Sequence, residues 1–563
     1  MACICTVLPR YSPPELHVLT RAEYQIFYEG YCKRLRAFLE TYGRLSLGFC
    51  ANLYAHDRGS LFPQEWEKDI DELVRKPEVF QMILELEQGM LKHLVEFPAI
   101  SAFVKDAYSL SFPRTSPLSG KQLEAIGTAL RRTELPWVPL LLAESRLNKA
   151  LEVLLTALVS DVIMGGSKLA ESILISLDKT GVDPYVREYF HQKIATLERV
   201  RDAIHPGTQL DDESLIDLDL GAGKGYYSLF QRFGLDRPVI AVEASVKQFL
   251  GLVSRSRTLI RRGILPEDAL NRLLVAPLCL DASVSGTRIE AAAIPALEVE
   301  TKGEEHVSGS NIQGSCFPRT THFVTMSTTA KTVPNSYCLI GLHACGGLSR
   351  LALQLLQQAD IATAITFPCC YGHIHTPEHF PCTEGGREIC LLFDRPEYRE
   401  LEPPHYPGGP PRLLLNYAGS GFNCPPAQTL KDLDSFMSRA TVEYMRVRLL
   451  RDSTKRMLPR QGDRSLMEWM KSIAAGANDL GEQDILACIQ HCHSRRWQMG
   501  AHYLVRKLVG QVFETFILLD RLAWLNSTTI EEEESVIHSG CFSVMTELSA
   551  RGFCLLGMRT TVP

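Results

Sequence analysis

Residues Leu215 to Gly225 read LIDLDLGAGKG. Six residues of alternating leucine, isoleucine and aspartate give way to a loop with glycine at 221, 223 and 225. An apolar run that stops at a glycine-rich turn and continues into YYSLFQRF reads as strand, turn and helix. Glycine admits backbone angles closed to other residues and lets the main chain come close to a ligand. The helix that follows would present its free amides at the sheet's C-terminal edge, where open α/β sheets bind ligands. The spacing is GxGxG, which differs from the GxGxxG of dinucleotide enzymes.

Downstream, short β-branched or leucine-rich runs alternate with helical segments. Val239 to Val242, Leu273 to Leu280, Tyr337 to Leu342 and Ile361 to Phe367 are the further strand candidates. Such alternation implies a parallel, doubly wound sheet, and strands covered on both faces are nearly continuous in apolar residues, as these are. Glu243 ends the second run, about 20 residues beyond the glycines, where a carboxylate accepts the hydroxyls of a ribose. A plainer reading is an acid capping the next helix, which would begin just after Ser245. Asp281 ends the third run, either to accept from an adenine amino group or as a turn aspartate. Asp219, Gly221, Gly223, Gly225, Glu243 and Asp281 thus form a candidate nucleoside site. S-adenosylmethionine suits it better than NAD: the sulfonium is a cation and the molecule carries no phosphate, so an acidic lining helps.

The fourth and fifth runs lead into GLHACGGLSR, Gly341 to Arg350, and FPCCYGHIH, Phe367 to His375. Both would end beside a transferring methyl group. Methyl transfer is an in-line displacement in which positioning contributes most, with a base needed where the acceptor atom carries a proton. His343 is the candidate base and Tyr371 the candidate acceptor contact; a satisfied structural role is the alternative for each. His343, Cys345, Cys369, Cys370, His373, His375 and Cys382 match no paired CxxC spacing, and the first two stand at a different strand end from the others, so no metal site is expected.

Around this centre, 1–205 is expected to be a helical N-terminal region, carried by apolar residues at three- and four-residue spacings from about Arg21 to Ala203. Residues 206–397 would be the α/β core, with a mobile insertion at 284–335. A Pro/Gly-rich loop covers 398–428, a helical region 429–530, and a hairpin at 531–563 would return to the sheet as two edge strands. The basic run EYMRVRLLRDSTKRMLPR offers Arg446, Arg448, Arg451, Lys455 and Arg456 to RNA phosphates, or to solvent as an ordinary helix face; SRSRTLIRR, from Ser254, is a lesser candidate. Net charge is only -6, which disfavours coating nucleic acid by bulk charge. Seventeen scattered cysteines and no leader-like start favour an intracellular setting, cytoplasmic or nuclear. No run of about 18 uncharged apolar residues occurs; the nearest, Val512 to Leu525, carries Glu514, Asp520 and Arg521, so no membrane span is expected.

Taken together, DLGAGKGYYS, GLHACGGLS, CCYG in that order and FETFILLDRLAWL resemble the methyltransferase-like protein 25 family, whose relatives include proteins named for a ribosomal RNA adenine dimethylase domain. LFPQEWEKDI, EFPAISAFVKDAYSLSFPR and SGKQLEAI resemble its N-terminal elements loosely. The resemblance implies a Rossmann-like class I methyltransferase sheet with a helical C-terminal insertion, using S-adenosylmethionine, and carries cofactor roles onto Asp219, Gly221, Gly223, Gly225 and Glu243. It names no acceptor; RNA or protein is open. Two departures stand out. The family has CGDLS where this chain has CGGLS, so Gly347 replaces an acid, and no Asn/Asp-Pro-Pro-Tyr follows the fourth strand, so adenine methylation finds no support. A fold that has lost its chemistry and serves as a scaffold is the alternative, and an NAD-dependent oxidoreductase a weaker one.

Overall fold

The structure is a computed structural model. It describes residues 3–7, 9, 16–48, 53–114, 118–143, 146–204, 215–281, 283–296, 336–418, 426–451, 465–475, 480–528, 535–548 and 552–561. The described strands are β1 (Cys3–Val7), β2 (Leu16–Thr20), β3 (Leu215–Leu220), β4 (Val239–Val242), β5 (Leu274–Ala276), β6 (Ile294–Pro295), β7 (Ser336–Cys345), β8 (Ile361–Cys369), β9 (Ser535–Ser543) and β10 (Phe553–Thr561). They form one mixed sheet in the order β2-β1-β9-β10-β8-β7-β3-β4-β5-β6. The central strands β5, β4, β3, β7 and β8 are parallel, while β10 runs antiparallel to both β8 and β9.

Alternation along each strand splits the core in two, because successive side chains leave a strand on opposite faces. On β7, Tyr337 and Leu339 join the apolar cluster built by the helices from Arg21 to Leu110 and by the long helix Arg496–Thr528. Cys338, Ile340 and Leu342 join a second cluster with the helices Gly120–Arg132, Leu147–Ile163 and Pro184–Ile204. Both faces of the parallel strands are therefore covered, as their apolar sequences require.

The structure departs from the sequence reading at several points. The N-terminal region opens with two strands, not helix: β1 lies parallel to β9, and β2 folds back on it. The hairpin β9–β10 is consequently interior to the sheet; neither of its strands is an edge. The third strand stops at Ala276 because Pro277 has no amide to donate. The first part of the expected insertion holds a helix, Gly286–Ala291, and β6; residues 297–335 lie outside the described residues. The Pro/Gly-rich loop contains a helix, Arg412–Tyr417. Among the described residues no helix is long and apolar enough to cross a membrane.

Candidate functional site

At the C-terminal edge of β3, β4, β5 and β7 lies a cleft of about 760 Å3. The glycine loop forms one wall. Gly221 and Ala222 both donate their amides to the Val242 carbonyl, at 2.9 and 3.1 Å, which fastens the loop to β4. Gly225 sits at φ +68°, and a Cβ there would lie 2.7 Å from Leu252, so both the turn and the tight packing onto the helix Val246–Arg261 demand glycine.

Glu243 lines the cleft and is 9% exposed. Its Oε2 accepts from the Gly223 amide at 2.9 Å and its Oε1 from the Ser245 amide at 2.7 Å. One carboxylate thus ties the glycine loop to the start of the next helix, whose N-cap is Ser245 itself, with its hydroxyl accepting from the Gln248 amide. Each carboxylate oxygen accepts more than one hydrogen bond, so a bound diol remains compatible with this arrangement. Asp281 also lines the cleft, from the loop five residues past the end of β5, and its Oδ1 accepts from the Ser283 amide at 2.9 Å and the Ser283 hydroxyl at 2.6 Å in a turn.

Asp219 does not reach the cleft lining. It is buried beneath the loop, where Ser228 donates to it, and burial pushes its carboxyl up to about 7. Asp217, one pleat earlier, accepts from Tyr227 at 2.9 Å and Gln231 at 3.0 Å. The two aspartates of LIDLDL therefore anchor the helix that follows the loop.

The acceptor side is built differently. His343 is exposed at the end of β7, and its Nε2 touches Lys149 Nζ and stands 3.7 Å from Glu152 Oε2. Lys149 and Glu152, themselves 3.3 Å apart, come from the helix Leu147–Ile163 in the N-terminal region. Burial holds the Lys149 ammonium below its ordinary pKa, against the pull of Glu152. Lys149 and Arg255 also lie over the ring of Tyr226, the first residue after the glycine loop, at 5.6 and 3.9 Å. No local motif announces Lys149 or Glu152, so sequence reasoning missed them.

Tyr371 does not face an acceptor. It is 1% exposed, and its hydroxyl donates to Glu514 Oε1 at 3.3 Å while Glu514 pairs with Arg114. The burial that makes it a core residue removes it from acceptor contact, which corrects the expectation above. Two further charges of the long helix are equally buried. Asp520 accepts from the amides of Cys382 and Thr383 at 2.6 and 3.2 Å and from Tyr28 at 2.8 Å. Arg521 donates to the Gly346 carbonyl at 2.8 Å and to Ser349 at 2.7 Å, clamping the GLHACGGLS loop from behind. Charges in the stretch Val512 to Leu525, which is otherwise apolar but for Thr515, were the signal that could have found them, since such residues are rarely buried without partners.

Gly347, which stands where the resembling family has an acid, faces the ring of His379; a Cβ at 347 would run into that ring. Both residues line the cleft. Burial, and then Arg521, lower the His379 pKa.

Cys345, Cys369 and Cys370 come together. Cys345 and Cys369 are register partners on β7 and β8, with Sγ atoms 3.2 Å apart, and all three thiols lie within 4.8 Å of one another. The Cys345 thiol, then Cys370 and burial, push the Cys369 thiol up. Standing at different strand ends does not separate these residues, because neighbouring parallel strands end side by side. In the basic run, Arg446 is buried and paired with Glu443 at 3.0 Å, so its charge is not offered to a phosphate; Arg448 and Arg451 are exposed, and Lys455 and Arg456 lie outside the described residues.

Residues 282–377 match a family model described as a methyltransferase domain. That interval holds β6, β7 and β8 with both acceptor-side motifs. No curated protein and no solved structure matches the chain.

Proposed function

We propose that this methyltransferase domain works with S-adenosylmethionine in a sheet of the class I layout, with the helices between β8 and β9 inserted into it. From β5 to β9 the strand order is five parallel strands followed by an antiparallel β10 lodged between β8 and β9. The observation that carries the cofactor reading is the cleft wall made by Gly221 and Glu243 at the C-terminal edge of β3 and β4. A carboxylate already oriented by two backbone amides is a preformed acceptor for a ribose, and it binds without paying for its own ordering. The cleft is lined by Glu243, Asp281 and Glu378 against one guanidinium, Arg350, so the acids outnumber the cation and the balance favours a sulfonium over a pyrophosphate.

On this reading the transferring methyl faces the ends of β7 and β8. His343, exposed at the end of β7 but not part of the cleft lining, takes a proton from the acceptor once its Nε2 is released from Lys149. Arg521 acts one step away, by fixing the loop that ends β7. The acceptor stays open between RNA, protein and other molecules, and Arg448 and Arg451 are the exposed cations among the described residues of the basic run.

Calorimetric titration of the folded chain with S-adenosylmethionine tests the cofactor reading. Saturable binding is expected for the wild type, with loss of at least tenfold in affinity, about 1.4 kcal/mol, in Glu243→Ala and in Gly223→Val. A Cβ at 223 meets only the Gly221 carbonyl oxygen, at 3.8 Å, but valine is strained at φ +57°, so the melting of this variant is measured beside its titration. A folded wild type that does not bind would overturn the proposal.

A further inference from the structure

The three thiols at the ends of β7 and β8 have no role in the reading above. Side chains of adjacent residues on a strand point to opposite faces. Cys369 and Cys370 escape that rule, because Cys370 adopts a left-handed conformation, φ 45° and ψ 51°. The turn swings its Sγ back toward Cys369 and Cys345, which the strand register already sets side by side. Left-handed backbone at a residue other than glycine is uncommon, and it persists where the surroundings over-determine it, often at functional sites.

We propose that Cys345, Cys369 and Cys370 hold a thiophilic, closed-shell metal ion of the Zn2+ class as three thiolates. Zn–S bonds of ~2.3 Å place tetrahedral thiolates roughly 3.8 Å apart. The trio meets that spacing with shifts of under about 1 Å. Soft sulfur donors without oxygen select zinc or copper(I) over magnesium or calcium. Zinc takes four ligands, so one position is left for water or a bound group, as in catalytic zinc sites. Cys345 lines the cleft, so the ion is reachable from it, and Cys370 is also partly exposed while Cys369 is buried. Around the thiols the main chain is fixed: the Gly346 amide donates to the Cys369 carbonyl at 3.2 Å, and Arg521 holds the Gly346 carbonyl. Such outer contacts orient metal ligands. The ligand spacing, one cysteine and then a vicinal pair 24 residues later, matches no linear metal motif, because the strands bring the donors together.

The test uses untagged full-length chain, reconstituted with Zn2+ under anaerobic, thiol-reducing conditions and freed of excess by gel filtration. Elemental analysis is expected to return one zinc per chain. Co2+ in its place should give an intense thiolate-to-cobalt band and the visible bands of tetrahedral cobalt. Cys345→Ser, Cys369→Ser and Cys370→Ser should each lose the ion, and Cys32→Ser, on the helix Arg21–Tyr42, should keep it. Should a serine variant fail to fold, alkylation of the wild type decides: Cys345 and Cys370 should react slowly with Zn2+ and fast after chelation. A folded wild type that retains no metal, a Cys369→Ser chain that retains it fully, or alkylation unaffected by chelation overturns the proposal. Loss of two thiols to a disulfide without metal overturns it in favour of a redox pair. The readouts do not depend on S-adenosylmethionine, whose binding is measured separately.

Discussion

The two halves of the sheet's C-terminal edge are made by opposite means. Around β3, β4 and β5 the cleft is lined by residues from Gly221 to Asp281, each set by the strand or turn it sits on. Around β7 and β8 the polar groups are delivered from afar: Lys149 and Glu152 from one helix, Arg521 from another 175 residues past its partner Gly346. The first half is a local motif. The second is an assembly whose parts make sense only once the chain is folded.

This contrast predicts where damage should register. Replacing Arg521 by Met leaves the buried Gly346 carbonyl and Ser349 hydroxyl without their donor and should cost about 1–3 kcal/mol for each, together the largest effect here, read as a fall in the urea midpoint. An unchanged midpoint would break the claim that the acceptor half depends on the long helix. A second, pH-dependent effect belongs to the half that carries the glycine loop. Burial raises the Asp219 carboxyl from 3.8 to about 7, so between those values the folded chain keeps a proton that the unfolded chain has lost. Stability from this group is thus present below about pH 4 and is lost as pH rises toward 7, by roughly 2–4 kcal/mol. Asp219→Asn removes that component, so its urea midpoint should fall less than that of the wild type between pH 5 and pH 7.

Gly346→Ala should cost about 1–3 kcal/mol. It forces a side chain onto φ +58° with its Cβ 2.6 Å from the His373 carbonyl oxygen, and thermal melting would show it. Glu243→Gln sharpens the comparison from the other side: cofactor affinity should fall about tenfold, and because one of the two oxygens that accept from the Gly223 and Ser245 amides becomes a donor, the melt should fall with it, by about 1–3 kcal/mol. Ser245→Ala removes an N-cap whose hydroxyl accepts from Gln248 at 3.4 Å and should cost only about 0.5–1 kcal/mol, again by melting.

What was legible follows the same division. β3 and β4 begin and end where the runs do: VIAV is apolar throughout, as a strand covered on both faces tends to be, and the two aspartates of LIDLDL are buried against Tyr227, Ser228 and Gln231. Glu243 could be found by counting from the glycines. β1 and β2 could not, because CICTV gains its strand character from β9, more than 500 residues away. Tyr371 was misjudged from its place beside CCYG, where sequence shows proximity to a strand end but not which way a ring turns. The thiol trio was set aside on linear spacing, a rule suited to donors carried on loops, whereas here strand register does the gathering. Lys149 and Glu152 lie on a helix that reads as an ordinary apolar one.

The position of β10 has a consequence for synthesis. It pairs with β8 from Leu555↔Thr366 to Met558↔Thr363, and its partner β9 is what β1 leans on, so the strands made last fill the gap between strands made long before. While the nascent chain stops short of Ser535, both β8 and β1 present unpaired hydrogen-bonding rims, a template for joining another chain. Closure of the sheet therefore waits until both β9 and β10 are made, and a premature stop codon upstream of Ser535 should yield a product that sediments with aggregates or chaperones even though every residue of the glycine loop is present.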